Sequence, residues 1–273
     1  MNATEITRES KSNLALAFVS LGRERRRDMT TLYAFCRVID DVADSETMAP
    51  AEKQETLTKW RQWVRANTPD EPALAVELRA MLAKYRLPPE MLDEIITGVE
   101  MDLHKSAYAT FDELRTYCYH VASAVGLVSI EIFGYRDPGC KEYAVNLGLA
   151  LQLTNIIRDV GKDLRKDRIY LPQEDLARFG YSTTELRNRT YNENFVRLMQ
   201  FESERAKQFF KQAAAALPKN DRHSMVAAEI MGSVYRKLLQ RMEADGFRVF
   251  DKDYRLNKLE KAGRILGQLW KLF

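Results

Sequence analysis

Two pairs of aspartates, each pair four residues apart, constrain this 273-residue chain more than any other feature. Asp40 and Asp44 lie in Cys36-Arg37-Val38-Ile39-Asp40-Asp41-Val42-Ala43-Asp44. Asp159 and Asp163 lie in Asn155-Ile156-Ile157-Arg158-Asp159-Val160-Gly161-Lys162-Asp163. On a helix, a four-residue spacing stacks both carboxylates on one face, one turn apart. Asp41 falls about 100° round the helix from Asp40. Like charges at that spacing repel, and both stretches are otherwise apolar enough to face a core. Cations must compensate, and divalent metal is the first candidate. For either pair taken alone, a solvated acidic helix end is the plain alternative.

The second pair belongs to a longer stripe. Gln152, Asn155, Asp159 and Asp163 recur at three- and four-residue intervals along a helix that also carries Leu149, Leu151, Leu153, Ile156 and Ile157. Buried polar groups without partners are costly, so such a stripe must line a cavity or meet a facing polar stripe. Two facing aspartate stripes in a helical bundle make a metal–diphosphate site. Carboxylate oxygens suit Mg²⁺, which retains waters and substrate phosphate oxygens in its octahedron. Arg37 and Arg158 each lie within a turn of a pair and offer bidentate donors to phosphate. Lys162, Arg165 and Lys166 read as surface charges that balance the acids. Tyr33, Tyr108, Tyr117, Tyr119, Tyr170 and Tyr235 lie near the motifs. There an aromatic face can stabilise a carbocation, a hydroxyl can bind diphosphate or relay a proton, and either ring can simply pack in the core.

The rest of the chain predicts a single all-α domain over 1–273, of about ten helices with short connections. Eight prolines and twelve glycines are few for this length. They gather where helices should end: Gly22, the Pro50 region, Pro69 to Pro72, Pro88-Pro89, Gly134 to Gly139, Pro172, Gly180 and Pro218. Between them apolar residues recur at helical spacing, and Thr110-Phe111-Asp112-Glu113 has the form of a helix cap. Hydrophobic residues make up 45%, which excludes a disordered chain. Forty-two basic against 39 acidic residues leave +3, too balanced a field to argue for nucleic acid. No uninterrupted apolar run approaches the ~20 residues of a membrane span, and the polar start lacks a signal-peptide core. Cys36, Cys118 and Cys140 have no metal spacing, so a reducing cytoplasm is expected. His104, His120 and His223 form no triad or zinc pattern, and phosphate-binding glycine loops are absent.

Three strings together resemble the squalene and phytoene synthases, the head-to-head prenyltransferases. Leu32-Tyr33-Ala34-Phe35 running on to Asp44 resembles their first aspartate-rich motif, and Gln152 to Asp163, continuing to Pro172, the second. Met101-Asp102-Leu103, Tyr108 to Leu114 and Tyr117 to Gly126 resemble a block between them, so the likeness runs from about Ser10 to about Arg255. It implies an isoprenoid synthase helical bundle with a central apolar cavity. The implied chemistry is metal-assisted ionisation of one prenyl diphosphate and attack by the alkene of a second, giving a cyclopropylcarbinyl diphosphate. Carried over by motif position, Asp40, Asp41 and Asp44 would bind Mg²⁺, or Mn²⁺ in its place, at one end. Asn155, Asp159 and Asp163 would bind it at the other. Gln152, Tyr33, Arg37, Tyr170, Ser10 and Ser12 would contact substrate, and Tyr117, Arg158 and Tyr235 the reacting centre. After Ser12 the chain reads Asn13-Leu14, where the family often has an aromatic.

Val121-Ala122-Ser123-Ala124-Val125-Gly126 resembles bacterial hopanoid-pathway enzymes that make presqualene diphosphate from farnesyl diphosphate. Carotenoid-pathway phytoene synthases, acting on geranylgeranyl diphosphate, more often read Ala-Gly-Thr-Val-Gly there. NADPH enters only if the reaction continues to squalene. The rivals are a terpene cyclase, which would not account for the middle block, and a non-catalytic assembly protein of the same fold, which predicts degraded aspartate motifs. At the C-terminus Ile265, Leu266, Leu269, Trp270, Leu272 and Phe273 form an apolar face amid Lys258, Lys261, Arg264 and Lys271. Such a segment can lie on an anionic bilayer or pack as a final helix on the core.

Overall fold

Turn chemistry sets the helix boundaries. The computed structural model describes Ala3 and residues 17–270; Ser10 and Ser12 lie outside the described residues. Gly22 precedes α1 (Arg23–Asp44), and Pro50 is the first residue of α2 (Pro50–Trp63). Pro72 and Pro89 immediately precede α3 (Ala73–Tyr85) and α4 (Glu90–His104). Proline suits these places because its missing N–H is one that a first turn leaves unpaired. Thr110 caps α5 (Phe111–Cys118) by accepting from the Glu113 backbone N–H at 3.3 Å. The Glu113 carboxylate accepts from Lys105 and Ala109 rather than closing back on Thr110. A complete capping box forms instead between Ser182 and Glu185, at α9 (Thr183–Arg187).

The remaining helices are α6 (Ala124–Phe133), α7 (Gly139–Asp163), α8 (Gln173–Arg178), α10 (Glu193–Ala216), α11 (Val226–Ala244) and α12 (Lys258–Trp270). These twelve among the described residues exceed the expected ten. Two of them, α8 and α9, are short, and a π-helical turn, Tyr119–Ser123, separates α5 from α6. Apart from helices, the described residues hold one isolated bridge, between Ala107 and Ile169.

Helix α7, 25 residues and so roughly 37 Å long, threads the bundle and packs against α5, α6, α10 and α11. Glycines bring its neighbours close. A Cβ at Gly148 of α7 would stand 2.7 Å from the Ser123 backbone, and one at Gly98 of α4 would stand 2.7 Å from His120 and Val121. The π turn is therefore gripped between α4 and α7, and the Ser123 hydroxyl donates to the Val145 carbonyl at 2.8 Å. The run Phe111–Phe133 that contains it is apolar and long enough to cross a bilayer by length and composition. Half of it is buried in this bundle, which marks it as a core helix.

Two turns close the C-terminal end of α7. Asp167 adopts φ 57°, a left-handed conformation that Asp tolerates better than most side chains, and sends the chain back beneath α4. Ile169 N–H then donates to Ser106 at 2.7 Å. On the other side, the segment after α11 crosses over Gly161, where a Cβ would stand 2.6 Å from the Val249 carbonyl oxygen.

Candidate active site

Spacing along α1 sets Tyr33, Arg37, Asp40 and Asp44 on one side of that helix. Tyr33 is half-buried against the core. Arg37 reaches along the helix to Asp41 at 2.7 Å, and both side chains are about half exposed. Asp41 is thus drawn aside into that pair, while Asp40 and Asp44, also exposed, share the neighbouring face. Protein crowds Asp40, yet solvent still reaches the residue. Lost hydration raises its pKa, Arg37 opposes, and Asp44, Asp102 and Asp41 raise it further.

Along α7 the half-buried residues Gln152, Asn155, Arg158, Asp159, Lys162 and Asp163 interrupt the buried Leu153, Thr154, Ile156, Ile157, Val160 and Gly161. Asn155 donates to Gln152 at 3.3 Å, while its own buried side-chain oxygen has no partner. Arg158 grips Asp159, with Nε 3.0 and 3.1 Å from the two carboxylate oxygens, and also reaches the Tyr235 hydroxyl. Lys162 bridges Asp159 at 3.0 Å and Asp253 at 2.8 Å. Burial would raise the Asp159 pKa, but the hydrogen bonds from Arg158 and Lys162 overcome it and hold it below the ordinary value.

The turn after α7 joins the two motifs. Lys166 and Arg168 each meet Asp44 at 2.8 Å, one base on each carboxylate oxygen. Here too burial is outweighed, and Asp44 titrates below its usual range. Lys162 and Lys166, expected as surface charges that balance the acids, do so: both stay partly exposed and pair with aspartates of the two motifs. Each pair therefore has one carboxylate held by bases, Asp44 or Asp159. The other, Asp40 or Asp163, makes no salt bridge among the described residues. Burial, then Asp159, push Asp163 up to about 7, with Arg168 opposing.

Between the pairs stands a residue to which the sequence reading gave no role. Asp102, on the last turn of α4, accepts from Tyr170 at 2.8 Å and from Tyr117 at 2.9 Å. Those hydroxyls are 3.4 Å apart, and the rings stack with centroids separated by 5.2 Å. Tyr108 leans on both, at 5.5 Å from Tyr117 and 5.9 Å from Tyr170. The Asp102 charge raises the pKa of Asp40 and Asp163, which sets it between the two ends. Burial above all, together with Asp102, keeps the Tyr117 phenol far above its usual pKa, so it stays protonated. Tyr117 is thus a dipole and a hydrogen-bond donor, not a phenolate base.

The donor set is wholly hard oxygen: Asp40, Asp44, Asp102, Asn155, Asp159 and Asp163. Among the described residues no three His, Cys, Asp or Glu side chains converge tightly enough to hold a metal as they stand. Asp44 and Asp159 are tied to Lys and Arg, which fill the electrostatic role that a cation would take. The unpartnered oxygen of Asn155 and the unbridged Asp40 and Asp163 still fit a divalent cation, the small oxygen-seeking kind.

An all-α bundle with acid-rich helices meeting at one end, bases between them and an aromatic cluster beside them is the arrangement of an isoprenoid synthase. Within that class the chain belongs to the squalene/phytoene synthase family, which matches residues 7–260. Members condense two prenyl diphosphates head to head. The phytoene synthase of Arthrospira platensis is 34% identical over 267 residues, covering 91% of this chain and 85% of that protein. A solved dehydrosqualene synthase superposes with TM-score 0.84 at 25% identity, covering 99% of this chain and 95% of that one. The squalene synthase HpnC from Alicyclobacillus acidocaldarius gives 0.80 at 25% identity, covering 90% and 93%. The resemblance seen in the aspartate motifs and the expected all-α fold are both borne out.

Proposed function

We propose that this chain condenses two farnesyl diphosphates head to head to presqualene diphosphate. One observation supports the farnesyl choice over a longer chain. The face of α7 that carries Gln152, Asn155, Asp159 and Asp163 meets the π turn at Gly148. Along the helix axis that contact lies roughly 16 Å from Asp159, about the extended length of a farnesyl chain and short of a geranylgeranyl one. The likeness to structures named for squalene and dehydrosqualene, each built from two farnesyl units, points the same way.

In this reading Arg158, Lys162, Lys166 and Arg168 take up diphosphate charge as a C–O bond breaks, since bases aimed at developing charge lower the barrier. Asp40, Asp44, Asn155, Asp159 and Asp163 would hold Mg²⁺, which supplies further neutralisation of the leaving diphosphate when bound. Asp102 fixes the Tyr117 and Tyr170 hydroxyls, and with them the rings whose faces stabilise an allylic cation. The buried apolar side chains beside the polar stripe, Leu153, Ile156, Ile157 and Val160, would keep water from that cation.

A second reading, phytoene formation from geranylgeranyl diphosphate, is favoured by the 34% identity to phytoene synthases. Parallel incubations with Mg²⁺ and each diphosphate, analysed by mass spectrometry, separate the two. Turnover of farnesyl diphosphate to a cyclopropyl diphosphate supports the proposal; turnover of geranylgeranyl diphosphate alone overturns it. Adding NADPH tells whether the reaction continues to squalene.

A further inference from the structure

The stacked rings beside the aspartates are not all held alike. Asp102 fixes Tyr117 and Tyr170 through their hydroxyls, but the buried Tyr108 hydroxyl has no hydrogen-bond partner among the described residues. Packing and backbone alone therefore place the Tyr108 ring. That backbone lies in a short parallel pairing, in which Ile169 donates to Ser106 at 2.7 Å, Gln173 to Tyr108 at 2.9 Å and Glu174 to Ala109 at 3.0 Å. One side of the pairing carries Tyr108 and the other Tyr170, so its register sets their stack.

A cluster of charges closes the far end of this pairing. Arg205 of α10 donates to Asp175 of α8 at 2.9 Å and to Glu202, one turn back along α10, at 2.6 Å. Both acids are almost fully buried, at 3% and 2% exposure. The Arg205 guanidinium lies 4.0 Å over the ring of Phe111, the first residue of α5, and 4.7 Å over Phe201. Glu174, next to Asp175, accepts from the Phe111 N–H at 2.6 Å. Arg205 thus touches both sides of the pairing at once, just beyond Tyr108 on one and Tyr170 on the other. Replacing buried ion clusters by apolar side chains of similar volume is often neutral or stabilising, so fold stability alone does not account for three charged groups here.

We infer that Arg205 is a positioning residue for the condensation: it locks the two sides of this pairing in register and so holds the Tyr108 ring against Tyr117 and Tyr170. The inference rests on the reading that these rings stabilise the allylic cation. A shift of about 1 Å matters there, because misplacement of that size by a change far from the chemistry can cost on the order of 100-fold in rate. Lysine cannot stand in for Arg205, since it is a point charge with no planar face to lie on Phe111.

Arg205→Lys tests this first without substrate. The variant should keep the wild-type far-ultraviolet circular dichroism and lose tyrosine signal in the near-ultraviolet. With whichever prenyl diphosphate the wild type turns over, its kcat should fall about tenfold or more while KM stays within about twofold. Tyr108→Leu should also lower kcat, and on that background Arg205→Lys should add little further loss. Phe111→Leu removes the face beneath the guanidinium, leaves the ion cluster whole and should give the same pattern, which covers a lysine variant that fails to fold. Wild-type kcat in both Arg205→Lys and Phe111→Leu, an unchanged near-ultraviolet spectrum, or a loss that multiplies in full on the Tyr108→Leu background overturns the inference. So does a lower melting temperature with kcat intact, the mark of a structural role alone. Wild-type kcat in Tyr108→Leu overturns it through the reading on which it rests, and the near-ultraviolet spectra then still report whether Arg205 holds the ring.

Discussion

Replacing Gly148 with alanine tests how the fold sets the site. The added Cβ would lie 2.7 Å from both Cα and N of Ser123 and 2.9 Å from the Ala122 carbonyl carbon. All three are backbone atoms in a turn clamped from the far side by Gly98, so no flexible side chain can give way. Overpacking of this kind costs about 1–3 kcal/mol. Separating the helices also strains the Ser123–Val145 hydrogen bond, worth about 1 kcal/mol, while alanine returns about 1 kcal/mol of helix propensity. The net loss is about 1–3 kcal/mol, a fall in Tm of roughly 3–10 °C for a chain of this size. Gly263 in α12 has nothing within 4 Å of its would-be Cβ, so Gly263→Ala should leave the Tm level or raise it. Thermal unfolding followed by circular dichroism reads both variants. Equal stability of the two would refute the close approach of α7 and the π turn. Gln152 lies one turn further along α7, so Gly148→Ala should also lower kcat/KM.

Asp102→Asn keeps the side-chain volume but replaces a charged acceptor of two tyrosine hydroxyls, each bond worth about 1.5–3 kcal/mol. Activity should fall about 10- to 100-fold with helicity intact, and adding Tyr117→Phe should cost less than the product of the single effects; strict additivity would disconnect the two residues. Glu202 is buried and shares Arg205 with Asp175, at 2.6 and 2.9 Å. Burial raises its pKa above the usual 4.5, with Arg205 opposing and Asp175 reinforcing. Between 4.5 and neutrality the folded chain keeps a proton that the unfolded chain has released, so this group's contribution to stability falls as pH rises. Glu202→Gln should flatten that slope in denaturation midpoints taken from pH 5 to 8; parallel curves would contradict it.

How much of this was legible depended on range. Helix starts at Gly22, Pro50, Pro72 and Pro89 were readable because proline and glycine act through their own backbone. The aspartate pairs were readable because four-residue spacing is itself a geometric statement. The π turn at Tyr119–Ser123 has no local signal; it arises where Gly98 and Gly148, on two other helices, close on it. Asp102 carries only the short string Met101-Asp102-Leu103, and its importance comes from tyrosines 15 and 68 residues away. The bases at Asp44 come from 122 and 124 residues away, through a left-handed turn at Asp167 that nothing in a helical pattern announces.

The central claim is that Asp40 and Asp159 are halves of one site. Its most direct measurement is turnover of prenyl diphosphate by Asp40→Asn and Asp159→Asn, each titrated with Mg²⁺. Both variants should keep the wild-type circular dichroism spectrum and lose about 100-fold or more in kcat/KM, the scale of removing one stabiliser of transition-state charge. Wild-type turnover in either variant would remove that aspartate from the site and split the two motifs apart.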